Sequence, residues 1–247
     1  MLSIAKYTAR GGRSTNEDTA RAYKRGDRVC AVAADGLGGH GGGRIASRAA
    51  AKTILSLFKN GGEADPSWLE KAMLAANDEV LSRQNEKTHM KTTAAVVVID
   101  EDRACFAHIG DTRIYHFHNG SIAWQSTDHS MSQLAVMMGE ITPDGIRSHP
   151  DRSRLTRALG GDTVISPDIG KAFTLEPGFH AFLLCTDGFW EYVLENEMLH
   201  DLECAISPRD WLNRMRRRLE RRSGDDIDNN TALVIFMDTR NHRKKKG

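Results

Sequence analysis

Apolar positions fall in short runs broken by glycine, asparagine and aspartate, with longer helical stretches between them. Runs near 3–9 and 20–25 predict strands. Residues 29–34, apolar almost throughout, predict a strand buried on both faces. A helix follows over 43–58, rich in Ala, Ile and Leu. Asp65-Pro66 supplies an N-cap oxygen and a proline at the first helical position, so a second helix runs to about Gln84. Segments 92–99, 103–109, 113–117 and 121–125 read as strands, and Asn119-Gly120 is a hairpin turn between the last two. Residues 130–160 are punctuated by Met, Pro and Gly, with helical pieces. A buried strand over 181–185 precedes a helix from Ser207-Pro208 to about 221, where Asp210 completes a capping box. A last apolar strand covers 231–237. Hairpin-linked strands with long helices between the strand blocks predict an α+β fold, a four-layer α/β/β/α sandwich of two antiparallel sheets flanked by helix pairs. One domain over 1–239 and a basic tail over 240–247 account for the chain.

The 247 residues are 40% hydrophobic with a net charge of +1, which excludes global disorder. No run of about 18 apolar residues occurs, so no membrane span is expected, and the N-terminus carries no secretory pattern. Cys30, Cys105, Cys185 and Cys204 lie far apart, without a CxxC pair. They read as free thiols of a reducing cytoplasm. The last eight residues hold five cations and no acid, and Arg214 to Arg222 holds six arginines on a predicted helix. No aromatics interleave with the tail cations and no nucleic-acid motif accompanies them, so a solvated surface is expected and no nucleic-acid partner. His116 and His118 share one side of a strand, and without a third ligand they read as a surface pair.

Several apolar strands end or begin at an aspartate beside glycine or asparagine. Residues 29–34 run into Asp35-Gly36, 182–186 into Asp187-Gly188 and 105–109 into Gly110-Asp111, while Asp228-Asn229-Asn230-Thr231 opens the last strand. One such aspartate is a turn residue. Four brought together by neighbouring strands repel one another, and a hard divalent cation such as Mg²⁺ or Mn²⁺ relieves that repulsion. Gly36 to Gly41 competes for the same place, because it fits the GxGxxG of dinucleotide-binding folds. The acidic residue expected about 20 positions on is missing, since 53–58 is still helix.

The motifs taken in order resemble the metal-dependent Ser/Thr protein phosphatases of type 2C, of the compact bacterial kind. They are 13–18 (RSTNED), 34–40 (ADGLGGH), 91–93 (KTT), 109–113 (IGDTR), 126–130 (STDHS), 155–160 (LTRALG), 185–188 (CTDG) and 228–231 (DNNT). The resemblance implies hydrolysis of phosphoserine and phosphothreonine by a water or hydroxide bridging two Mn²⁺ or Mg²⁺ ions, with a weaker third ion. Asp35 would bridge the pair, the carbonyl of Gly36 would complete one metal, and Asp187 and Asp228 would hold the other. Asp111 would hold the third with Asp187. Glu17 and Asp18 would orient waters, Arg13 would grip the phosphate and His40 would give the leaving oxygen its proton. Residues about 131–153 would form a flap beside the cleft. The partners implied are phosphorylated proteins and a bacterial Ser/Thr kinase, met by a cytoplasmic monomer. Compared with the family pattern, Lys91 stands where a glycine usually precedes the Thr-Thr pair, Arg44 replaces a usual acid, and Asn230 replaces a small or β-branched residue.

Overall fold

A computed structural model describes residues 2–38, 41–86 and 88–240. The chain begins with β1 (Leu2–Ala9), β2 (Thr19–Arg25), β3 (Arg28–Ala34) and the short β4 (Gly36–Leu37). Helices α1 (Gly42–Lys59) and α2 (Pro66–Ser82) follow. Then come β5 (Lys91–Thr92), β6 (Ala94–Asp100), β7 (Arg103–Ile109), β8 (Arg113–His118) and β9 (Ser121–Gln125). Helix α3 (Met131–Met137) and a 3-10 turn (Pro143–Ser148) lead to β10 (Asp168–Ile169), β11 (Phe173–Thr174) and β12 (Phe179–Cys185). The chain closes with α4 (Asp187–Trp190), α5 (Glu195–Glu203), α6 (Pro208–Arg222) and β13 (Asn230–Asp238).

One sheet runs β1-β13-β12-β8-β9 and the other β10-β7-β6-β3-β2, with all pairings antiparallel. Strand β3 shows why 29–34 is apolar on both sides. Val29, Ala31 and Ala33 face the other sheet with Val97, Leu184 and Ile235, whereas Cys30 and Val32 face Ile54, Leu69 and Met73 of α1 and α2. On the second sheet, Tyr115, Phe117, Leu183 and Val234 pack under Trp190, Met198, Trp211 and Met215 of α4, α5 and α6. The expected four layers are therefore present. The antiparallel β3 also removes the dinucleotide alternative, which needs a parallel strand–helix–strand unit.

Local signals act as anticipated at most boundaries. The Asp65 carboxylate accepts from the amides of Ser67 and Trp68 at 3.0 and 3.1 Å. Asn119 and Gly120 both take positive φ (46° and 81°), the requirement of a two-residue hairpin loop. The box at α6 is altered: Ser207 Oγ accepts from Asp210 N at 3.1 Å, but the Asp210 carboxylate accepts from the amide of Ile206, one residue before the cap. The arginines of α6 form a solvated, ion-paired face. Arg214 pairs with Asp210, Arg216 with Glu220, Arg218 with Glu197 and Asp201, and Arg222 with Glu197. Cys30, Cys105 and Cys185 are buried and free, and Cys204 is free and exposed. Among the described residues, no helix is long and apolar enough to cross a membrane. The basic tail beyond Arg240 lies outside the described residues.

Candidate active site

The strand ends bring the predicted aspartates together. Asp35, Gly36, Asp111, Asp187, Asp228, Glu17 and Arg13 line one cleft of about 600 Å³. Asp35 leaves β3 with its backbone fixed by a threonine pair. Its amide donates to Thr93 Oγ1 at 2.8 Å, and its carbonyl accepts from Thr93 N at 2.9 Å and Thr92 Oγ1 at 2.8 Å. Thr93 Oγ1 lies 2.6 Å from Thr112 Oγ1, which ties the Asp35 turn to the one that carries Asp111. Gly36 rests backbone to backbone on the first turn of α1, where an added Cβ would lie 2.1 Å from the Gly43 carbonyl oxygen.

Asp187 starts α4 and accepts from Gly188 N at 2.6 Å. The preceding Thr186 donates through Oγ1 to Asp18 Oδ2 at 2.9 Å and accepts from Thr231 N at 3.0 Å, linking β12, β13 and the lead into β2. Trp190 of α4 donates its indole N–H to the Asp111 carbonyl at 2.9 Å. Asn229 organises the loop opposite. Its Oδ1 accepts from Glu17 N at 2.7 Å, and its Nδ2 donates to the carbonyls of Arg10 (2.7 Å) and Thr15 (2.9 Å). Arg13 is thereby held at the cleft mouth, its side chain 60% exposed and its Nη2 2.6 Å from Asp228 Oδ2.

The electrostatics of the cleft favour a positive charge among the carboxyls. Burial, then repulsion from Asp18, Asp187 and Asp111, holds the Asp35 carboxyl well above the ordinary range. Burial, then Asp111, Glu191 and Asp18, does the same to Asp187. Burial first pushes Asp18 up to about 6 and Asp111 up to about 7, and it raises Glu17. Glu17 Oε1, Asp18 Oδ1 and Asp111 Oδ1 are buried without a hydrogen-bond partner. Orphaned acceptors of one sign in one cleft are costly unless a cation accepts them. An all-oxygen donor set suits a hard divalent ion. The residues present therefore fit the cofactor that the sequence implies.

His40 lies outside the described residues, so the structure gives no placement for it. Residues 131–153 border the cleft through Ser153. The segment is fastened by Arg147, which pairs with Glu195 at 2.5 Å and bonds the Trp190 carbonyl, and by Arg152, which pairs with Glu191 at 2.7 Å. The sequence placed Thr92, Thr93 and Asn229 in motifs but assigned them no individual function. An asparagine at the mouth of an apolar strand was the available signal for Asn229, since strands disfavour it.

Residues 8–237 match the family described as protein phosphatase 2C. The chain belongs to the protein phosphatase 2C family. Protein phosphatase PhpP of Streptococcus pneumoniae is 28% identical over 242 residues, covering 91% of this chain and 93% of that one. The Ser/Thr phosphatase PstP/Ppp of Mycobacterium tuberculosis superposes with a TM-score of 0.83 at 29% identity, covering 96% of this chain and 99% of that one. The catalytic domain of a Ser/Thr phosphatase PstP, solved in complex with two manganese ions, matches at 0.80 and 26% over 96% and 99%. Activity dependent on divalent metal is thus a property of this 2C-type chain.

The paired histidines of β8 are not a surface pair. His116 and His118 lie on the side of β8 that faces the other sheet, at the far end from the aspartates, and β12 adds His180 opposite His118. His180 Nε2 donates to the Glu176 carbonyl at 2.7 Å, so its Nδ1 accepts, 3.0 Å away, from His116 Nε2. His116 also stacks on Phe182 at 4.6 Å, and burial pushes it down to about 3. The sequence could not supply His180 as a neighbour, because β12 is brought alongside only by tertiary pairing.

Proposed function

We propose that Asp35, the Gly36 carbonyl, Asp187 and Asp228 hold two divalent cations, Mn²⁺ or Mg²⁺, and that Asp111 with Asp187 holds a weaker third. The reaction is removal of phosphate from phosphoserine and phosphothreonine of proteins, as in the 2C phosphatases. When bound, the cations supply an activated water and offset charge on the phosphoryl group. The chain's own residues do the rest. Glu17 and Asp18 are acceptors with one oxygen each left unpaired, suited to orienting water in the cleft. Arg13 lines the cleft and engages Asp228 through one nitrogen, and its side chain is otherwise largely exposed. A guanidinium so placed takes two phosphate oxygens at once. The carboxyl of Asp228 keeps that fork at the mouth rather than extended into solvent. His40 is proposed as the proton donor to the leaving oxygen.

The observation that carries this reading is the set of four buried or half-buried aspartates, Asp18, Asp35, Asp111 and Asp187, which repel one another, with buried oxygens of Glu17, Asp18 and Asp111 left without a hydrogen-bond partner. Hydrolysis of a phosphothreonine peptide with Mn²⁺, with EDTA, and by Asp35→Asn tests it. Full turnover in the Asn variant rejects the site. We further propose a single catalytic domain over 1–239, with 131–153 as its flap. Three buried free thiols favour the reducing cytoplasm. The protein acts there as a monomer, because its own helices cover the outer face of each sheet. Its substrates, being phosphoproteins, require a Ser/Thr kinase upstream.

A further inference from the structure

Beside the aspartate cleft lies a second hollow of about 360 Å³, and Leu37 and Leu155 line both. The two are therefore one continuous surface. The second is walled by aliphatic side chains, Leu37, Ile109, Leu155, Val164 and Ile165, and Val164 is 83% exposed. Leu37 pairs with Lys91 across β4 and β5. It stands two residues beyond Asp35, a step of about 7 Å along a strand. An extended peptide crosses that distance in two residues.

The charges on this hollow are Lys91, Arg157 and Asp162. Arg157 is spent on Asp168 and the Ser166 carbonyl, at 3.1 and 3.2 Å. The Asp162 carboxylate accepts from the Thr163 amide at 2.7 Å. Lys91 is exposed, and among the described residues no carboxylate lies within ion-pair distance of it. Its stem passes over Gly161, where an added Cβ would meet Lys91 Cδ at 3.8 Å. The hollow thus offers an aliphatic floor with an uncommitted ammonium at its rim.

We infer that this hollow is a substrate subsite. It takes the segment one or two residues from the phosphorylated one, with a large aliphatic side chain on the floor and a carboxylate at Lys91. The inference rests on the phosphatase reading and adds the sequence preference of the substrate. Lys91 and Val164 are specificity residues that do not touch the reacting phosphate.

The test uses phosphothreonine peptides of equal length, carrying Leu-Glu, Leu-Lys or Gly-Gly beside the phosphoresidue, on either side of it. Aryl phosphate, too small to reach the hollow, is the control. The wild-type chain turns over the Leu-Glu peptide with kcat/KM about fivefold above Leu-Lys, mostly through KM, the size of one exposed ion pair. Lys91→Glu inverts that order, and Val164→Asp lowers the Leu-Glu rate about tenfold. Both variants keep the aryl-phosphate rate. An unchanged peptide ranking in both variants, with aryl phosphate still hydrolysed, overturns the subsite and leaves the phosphatase standing. A wild-type chain that hydrolyses neither substrate with Mn²⁺ overturns both.

Discussion

The two ends of the sandwich bury titratable groups in opposite ways. At the end where β3, β7 and β12 terminate, carboxyls crowd without enough donors, and burial raises them. At the end where β8 turns into β9, histidines pass hydrogen bonds from His116 to His180 to a carbonyl, and burial lowers His116 to about 3. The histidine relay is closed, because the ring protons of His116 and His180 each have an acceptor. The aspartate end is open, because buried oxygens of Glu17, Asp18 and Asp111 have none. Buried polarity becomes a working site when its partner must come from outside the chain.

The largest effect that would break this contrast is on turnover. Asp35→Asn or Asp187→Asn removes a proposed ligand and is expected to lower phosphopeptide hydrolysis by more than about a hundredfold, beyond the usual cost of losing a ligand's outer partner. In EDTA the same variants melt about 2–4 °C higher, since roughly 1 kcal/mol of repulsion is gone. A lower melting point would show that these carboxyls are not in conflict. Next is Asn229→Ala, which frees the loop carrying Arg13 and Glu17 and reduces kcat/KM about tenfold, measured with Mn²⁺ saturating.

The pH dependences have opposite signs. The raised carboxyls bind more protons folded than unfolded, so their contribution to metal-free stability falls as pH rises from about 4 through about 7. The rise in melting temperature on adding Mn²⁺ is therefore larger at pH 8 than at pH 5. His116 binds fewer protons folded than unfolded. Its contribution is complete above about 6.5, the free-imidazole value, and is lost as pH falls towards 3. His116→Phe, which keeps the stack on Phe182, costs about 1 kcal/mol at pH 7.5 and flattens the acid limb of a denaturation series, the smallest of these effects.

Much of this was legible along the chain wherever one residue type has one local use. Asp65-Pro66, Asn119-Gly120 and the doubly apolar β3 marked their elements, and the strand-end aspartates marked the cleft in which they gather. Helix α5 was missed because its cap is Leu194, with no side-chain oxygen. Only Glu197, which accepts from the Leu194 amide at 3.1 Å, does a cap's work. The two-residue strands β4, β5, β10 and β11 carry too few positions to show a period. Arg13 with Asp228, and His116 with His180, meet across 215 and 64 residues. No local pattern encodes such pairs, and a strand register does.

The placement of β13 has a consequence for synthesis. The last strand lies inside its sheet, hydrogen-bonded to β1 on one edge and β12 on the other, and Asp228 and Asn229 enter with it. Until residues 228–238 have left the ribosome, a nascent chain has neither that central strand nor the Asn229 hydrogen bonds that hold the loop carrying Arg13. Dephosphorylation therefore begins only once residues 228–238 have emerged and paired, and a premature stop before residue 228 is expected to yield an inert product.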